Sequence, residues 1–285
     1  MAWQVIAIAH VAVGELDDSQ PRPGGTRAGG GDTACAGVLD VSPSVHALAD
    51  GLVALASSAR EKMAGNSVGG PSSGDAAGEG RAPAVWVGVA GAPGSGKSTL
   101  THEVTAELAR RGVEAVTIPM DGFHYPRAFL DTMPEPEQAH ARRGAPFTFD
   151  AEGLVATLTR LKRDGAGTVP SFDHAVGDPV PDGVELKETA EVVLVEGNYL
   201  LMWDTEPWRK LRPLFDTTWF LHCPEAILRE RVIERNAAAW QWDVARTAAR
   251  VDANDMRNAR LVQVRVYACI MYGYVRMHVV NDMHS

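Results

Sequence analysis

Gly91, Ala92, Pro93, Gly94, Ser95, Gly96, Lys97, Ser98 and Thr99 form the stretch of this chain best suited to chemistry. They match G-x-x-x-x-G-K-[ST], the pattern of a loop that wraps phosphate. Glycines let backbone N–H groups converge on phosphate oxygens with no Cβ in the way. The N-terminus of the helix that should follow adds partial positive charge. Lys97 is expected to reach the β- and γ-phosphates of a nucleoside triphosphate, and Ser98 to offer its hydroxyl to Mg²⁺. ATP and Mg²⁺ are therefore the expected cofactors.

Two carboxylates are placed to complete such a site. Asp121 follows VEAVTIPM (113–120), a strand candidate, and Glu196 follows the apolar residues of EVVLVEG (191–197), another. In doubly wound sheets ligands gather outside the carboxyl ends of the strands. A right-handed crossover from the phosphate-loop strand would bring the Asp121 end beside that loop. Phosphoryl transfer to an alcohol needs held phosphates and an acceptor oxygen in line, near a group that takes its proton. Asp121 is expected to position or deprotonate the acceptor, and Glu196 to serve Mg²⁺ and its water. A turn cap in MDGF and a structural ion pair are the corresponding non-catalytic readings.

The elements that must position these residues alternate along the chain. AVWVGVA (84–90) reads as a strand, followed by the glycine loop and a helix through Leu108. After the strand at 113–120 comes a long polar, Pro-containing region, with a helix near 151–163. Strands at 191–197 and 217–223, helices at about 224–238 and 243–262, and a last strand at 275–280 complete the pattern. Such alternation predicts an α/β fold: a P-loop, doubly wound, mainly parallel sheet with helices on both faces and a small lid helix.

Residues 1–83 differ in character. Gly-rich stretches at 21–31 and 65–83 read as flexible linkers. Between them a helix is expected at about 43–63, with Ser42 as N-cap, Pro43 in first position, and Val45, Leu48, Leu52 and Leu55 on one face.

Composition narrows the function. The 285 residues carry 27 Lys and Arg against 36 Asp and Glu, a formal charge of −9. A broad nucleic-acid surface would need the opposite balance. Cys35, Cys223 and Cys269 are scattered and form no CxxC pair, so neither a disulfide framework nor a zinc site is expected. No apolar run approaches the roughly 18 residues of a membrane span. The expectation is a soluble, cytoplasmic protein acting on a small molecule, without nucleic-acid or membrane partners; its oligomeric state stays open, a homodimer being one option.

Taken in order, GAPGSGKST (91–99), MDGFHY (120–125), RRGAPFTFD (142–150), PSFDHAVGDPVP (170–181), VVLVEGNYLL (192–201) and LRERVIERN (228–236) resemble the superfamily of uridine kinases, phosphoribulokinases and bacterial-type pantothenate kinases. The resemblance covers about residues 84–262 and is nearest to the subgroup of fructose-transport-associated kinases and related fungal P-loop ATPases. It implies a kinase domain over 84–285, with the γ-phosphoryl group passing to a hydroxyl of a sugar, nucleoside or vitamin-like metabolite. It implies that Asp121 acts at the acceptor hydroxyl, that Glu196 acts on the metal side, and that Asp150 contacts the acceptor. Phe172, Asp173 and His174 fall in the acceptor region, beside His124, Tyr125 and Arg143. Arg229, Arg231 and Arg235 lie where relatives carry a lid whose arginines stabilise the transferring group; a solvated charged helix is the alternative. Arg142 and Arg143 suit either a surface turn or an acceptor with its own anionic group. FDHAVGD replaces the tyrosine-rich segment of uridine kinases, which argues against uridine. The tail after Ala259 and the long N-terminal extension do not follow the family. An ATPase with no metabolite acceptor and a degenerate nucleotide-binding regulator are the competing functions. GTPases and ABC-type ATPases are set aside, since N-K-x-D and L-S-G-G-Q segments are absent.

Overall fold

A computed structural model describes residues 4–9, 44–66, 82–173, 176–271 and 276–278. The chain begins with strand β1 (Gln4–Ala9) and helix α1 (Val45–Asn66), then the phosphate-loop unit β2 (Val85–Gly91), α2 (Lys97–Arg110) and β3 (Ala115–Pro119). A 3₁₀ turn, Met120–Phe123, leads to α3 (Arg127–Leu130), α4 (Pro136–Ala141) and α5 (Ala151–Asp164). Next come a hairpin of β4 (Gly167–Asp173) and β5 (Asp178–Leu186), then β6 (Val192–Gly197) and β7 (Thr217–His222). Helices α6 (Glu225–Trp240), α7 (Val244–Ala253) and α8 (Asp255–Met271) and strand β8 (Arg276–His278) complete the order.

The main sheet runs β3-β6-β2-β7-β1-β8. Its first four strands are parallel, and β1 runs antiparallel to both β7 and β8. Strand β2 is buried along its whole length, which is why it reads as an unbroken small and apolar run. Val85, Val87, Val89, Val192 and Leu194 face a layer containing Leu48 and Leu52 of α1 and Leu100, Val104 and Leu108 of α2. Trp86, Ala90, Val193 and Val195 face the opposite layer, with Leu154, Leu158 and Leu161 of α5. Each such buried side chain contributes about 1.5–3 kcal/mol. This double cover holds the carboxyl ends of β2, β6 and β3 in fixed register.

Several expectations need correction. Strand β6 lies between β3 and β2, an order the sequence left open, and the Asp121 end of β3 still opens into the cleft of the phosphate loop as the crossover predicts. Ahead of residue 84, Gln4–Ala9 adds a strand along β7 that was not expected, while the expected helix α1 packs into the core. Ser44 caps α1, its Oγ accepting from the Ala47 N–H at 3.1 Å, whereas Ser42 and Pro43 lie outside the described residues. The 21–31 stretch and residues 67–81 of the second Gly-rich stretch also lie outside them. The polar 167–186 region forms an antiparallel arm of its own. The helix expected at 243–262 is two helices broken at Asn254.

Candidate active site

The loop from Gly91 to Gly96 joins β2 to α2. Gly94 and Gly96 adopt φ of 79° and 94°, the left-handed region where a Cβ is strained. Gly96 is the cap of α2, so the first free N–H groups of that helix open onto the loop. Gly91, Ala92 and Ser95 are buried behind it and shape its base. Pro93, Gly94, Gly96, Lys97, Ser98 and Thr99 line a cleft of about 1530 Å³.

The ladders fix what faces the loop. Glu196 is paired with Val89 of β2 on one side and Pro119 of β3 on the other. The phosphate loop, Glu196 and Asp121 therefore stand in a row across three adjacent strand ends. Ser98 Oγ donates to Glu196 Oε1 at 3.0 Å. Lys97 Nζ donates to Asn198 Oδ1 at 2.9 Å and to the Ala92 carbonyl at 3.3 Å. Burial holds the Lys97 ammonium below its ordinary pKa, with Glu196 and Asp121 pulling it up and Arg235 pushing it down. Burial likewise raises the Glu196 carboxyl, against the pull of Lys97 and the Ser98 hydroxyl. Two desolvated opposite charges in one pocket are costly unless something charged joins them. A polyphosphate on the loop would answer Lys97, and a divalent cation would answer Glu196 and the Ser98 hydroxyl. The residues present thus fit ATP and Mg²⁺.

Asp121 lies in the 3₁₀ turn that ends β3, and its side chain is 39% exposed, open to the cleft. The His124 ring approaches the Asp121 carbonyl at 2.9 Å through Nδ1, which must be the donor there. That ring lies between Phe149 and Phe172, with centroids 3.9 and 4.9 Å away. His124, Arg143 and Phe172 form the cleft wall beyond Asp121. Three other expected acceptor residues are not among those that line the cleft. Asp150 is the N-cap of α5, accepting from the Gly153 N–H at 2.9 Å. Tyr125 stacks on Phe129 at 4.3 Å, and its hydroxyl pKa is raised by burial and then by the Asp150 carboxylate. Asp173 accepts from the Val176 N–H at 3.2 Å and so closes the turn of the arm. His174 lies outside the described residues.

The three arginines of α6 separate. Arg229 turns away into a two-pronged pair with Asp252, at 2.7 and 2.8 Å. Arg231 and Arg235 line the cleft, and Arg231 Nη1 is 3.5 Å from the Gly94 carbonyl. Helix α6 thereby places two guanidiniums over the phosphate loop. Sequence reasoning missed Asn198, Arg127, Arg250 and Trp242, which also line the cleft. Asn198 alone carried a signal, standing two residues past Glu196 at the same strand end.

A phosphate loop, two strand-end acids and a guanidinium-bearing helix, mounted on a mainly parallel sheet, define the P-loop kinase class of scaffold. The chain belongs to the Phosphoribulokinase / Uridine kinase family, whose pattern matches residues 86–240. A Schizosaccharomyces pombe protein named as a candidate uridine kinase is 41% identical over 185 residues, 63% of this chain and 78% of that one. An ATP-dependent kinase-like protein of Aspergillus versicolor is 41% identical over 146 residues, 49% of this chain and 84% of the other. A crystal structure from Silicibacter sp. TM1040, named as a candidate fructose transport system kinase, superposes with a TM-score of 0.60 at 32% identity, covering 75% of this chain and 94% of that one. The Saccharomyces cerevisiae YFH7 structure shares the fold at a TM-score of 0.59 and 20% identity, over 78% of this chain and 96% of its own. Among the described residues no helix is long and apolar enough to cross a membrane.

Proposed function

We propose that this protein transfers the γ-phosphoryl group of ATP to a hydroxyl of a small metabolite. The reading is carried by one observation: Asp121 opens into the same cleft as Lys97, Ser98 and Glu196, and His124, Arg143 and Phe172 line that cleft too. A hydrolase needs no such wall.

Bound Mg²⁺ would supply charge neutralisation on the phosphates. Ser98 and Glu196 would hold it from the protein side. Loop N–H groups and Lys97 bind the β- and γ-phosphates, releasing Lys97 from Asn198 and the Ala92 carbonyl. Arg231 and Arg235 lie over the loop, where negative charge accumulates during transfer. Asp121 accepts the proton of the incoming hydroxyl while its oxygen bonds to phosphorus, and ADP leaves with the bridging oxygen. His124 steadies the turn that carries Asp121, and Phe172 packs against the His124 ring.

The test is a metabolite panel with labelled ATP, run on the wild type and on Asp121→Asn. Acceptor-dependent turnover that falls at least about 100-fold in the variant, with ATP affinity kept, supports the reading. Hydrolysis that ignores every acceptor and survives the substitution would replace it with an ATPase.

A further inference from the structure

The cationic groups of the cleft fall into two sets. Lys97, Arg231 and Arg235 stand at the phosphate loop, and donor phosphates account for them. Arg127, Arg143 and Arg250 line the cleft as well, and the donor site gives them no role.

Arg143 is turned inward, its side chain only 14% exposed. Its Nη2 donates to the Tyr125 carbonyl at 3.0 Å and to Asp178 Oδ1 at 2.7 Å. Its Nε and Nη1 are buried with no partner in the protein, and so is Nη1 of Arg250. The Phe172 ring lies 5.8 Å below the Arg143 guanidinium. Arg250 is one helical turn from Asn254, whose side-chain amide donates to the Arg143 carbonyl at 2.7 Å. Asn254 thus ties the backbone of Arg143 to the helix that carries Arg250, and both arginines line the same cleft.

Carboxylates do not balance this junction. Asp178 accepts from the Arg143 guanidinium and from the Arg127 backbone N–H, and burial is outweighed by these bonds together with the charge of both arginines, so its pKa is lowered. Asp255 faces Arg250, Arg235 and Arg142 together, and burial still raises its pKa. Guanidiniums outnumber the acids that face them. A buried N–H left unpaired on a charged group is costly, and a guanidinium is best matched by a planar or tetrahedral oxyanion.

We infer that the phosphoryl acceptor itself carries an oxyanionic group, a carboxylate or a phosphate monoester, received by Arg143 and Arg250 while its hydroxyl end lies at Asp121. This rests on the kinase reading and narrows it from alcohols in general to anionic ones. Neutral sugars and nucleosides can accept from those N–H groups but leave the guanidinium charge unmatched.

The experiment incubates the full-length protein with a small-molecule cell extract and γ-labelled ATP, and identifies the labelled product by mass spectrometry. The expected product bears a carboxylate or second phosphate besides the transferred group, and its mass says which. That acceptor is then compared with its neutral analogue, the ester or the dephosphorylated form. The anionic form is expected to win by about tenfold or more in kcat/KM, and Arg143→Gln and Arg250→Gln should each shrink that ratio. The ratio is internal to each variant, so partial misfolding does not imitate the result, and Arg143→Lys should retain part of the preference. A product made from a neutral acceptor, or a ratio untouched by both Gln variants, overturns the inference and leaves the kinase standing. Absence of any acceptor-dependent product in the wild type overturns the kinase reading and the inference with it.

Discussion

Gly122→Ala is a demanding test of the arrangement around Asp121. A Cβ on Gly122 would sit 2.1 Å from the Pro170 carbonyl oxygen, 2.6 Å from its carbon and 3.3 Å from the Ser171 nitrogen. Carbon–oxygen contacts between neighbouring backbones settle at about 3.3 Å or more, so the turn and β4 must separate by about 1.2 Å. All three atoms belong to backbone, so no side chain can swing aside. The displaced residue is the immediate neighbour of Asp121. A misplacement of about 1 Å at a reacting group costs about 100-fold, or about 2.7 kcal/mol of barrier. Overpacking should also lower stability by about 1–3 kcal/mol. The assay pairs acceptor-dependent turnover with ATP titration and urea denaturation. Turnover should fall about 100-fold while ATP affinity stays within about threefold, because the phosphate loop lies on β2 and α2. Wild-type turnover with wild-type stability would refute the reasoning, since the backbone would then have absorbed the methyl without moving Asp121.

Asp150→Ala should cost about 1 kcal/mol of stability through its lost cap, with the acceptor KM nearly unchanged; a tenfold rise in KM at full stability would instead put that carboxylate on the substrate. Lys97 should shape the alkaline limb of kcat/KM for ATP. Its pKa is lowered by burial, so the ammonium is lost on raising the pH through a value below the ordinary 10.5, and the limb should fall there; a limb at or above 10.5 contradicts the burial argument. Arg229→Ala should change turnover little, as it removes only an exposed pair with Asp252. Arg235→Ala should lower kcat by at least about tenfold in the same assay, and equal effects of the two would dissolve the distinction drawn on α6.

The parts of the site that were legible in the sequence share one property: local pattern determines them. The phosphate loop is a contiguous run whose glycines are dictated by its own dihedrals. Asp121 and Glu196 stood out because an acid closing an apolar run falls at the carboxyl end of its strand, where ligands gather. Strand order was not legible because it depends on which buried run takes the centre, and sequence neighbourhood does not decide that. Asp150 illustrates a different limit. A carboxylate three residues before Gly153 is as good a cap as it is a ligand, and only the hydrogen bond to the Gly153 N–H separates the two. Arg229 and Arg231 are two residues apart on one helix, and a rotation of about 200° sends one to Asp252 and the other to the cleft. Strand β1 was missed because its partner, β7, lies more than 200 residues later.

The β4–β5 arm forms a two-stranded sheet of its own, separate from the main one. It supplies Phe172 to the wall proposed for the acceptor, and Asp178 braces Arg143, while the phosphate loop itself is built from the turn between β2 and α2. On the proposed kinase reading, inherited changes in the arm reshape which molecule is chosen while the phosphate-handling engine runs untouched. One fixed joint limits that freedom, where Pro170 lies against the bare backbone of Gly122. Diversification of substrate choice should accumulate along the arm and stop at that joint.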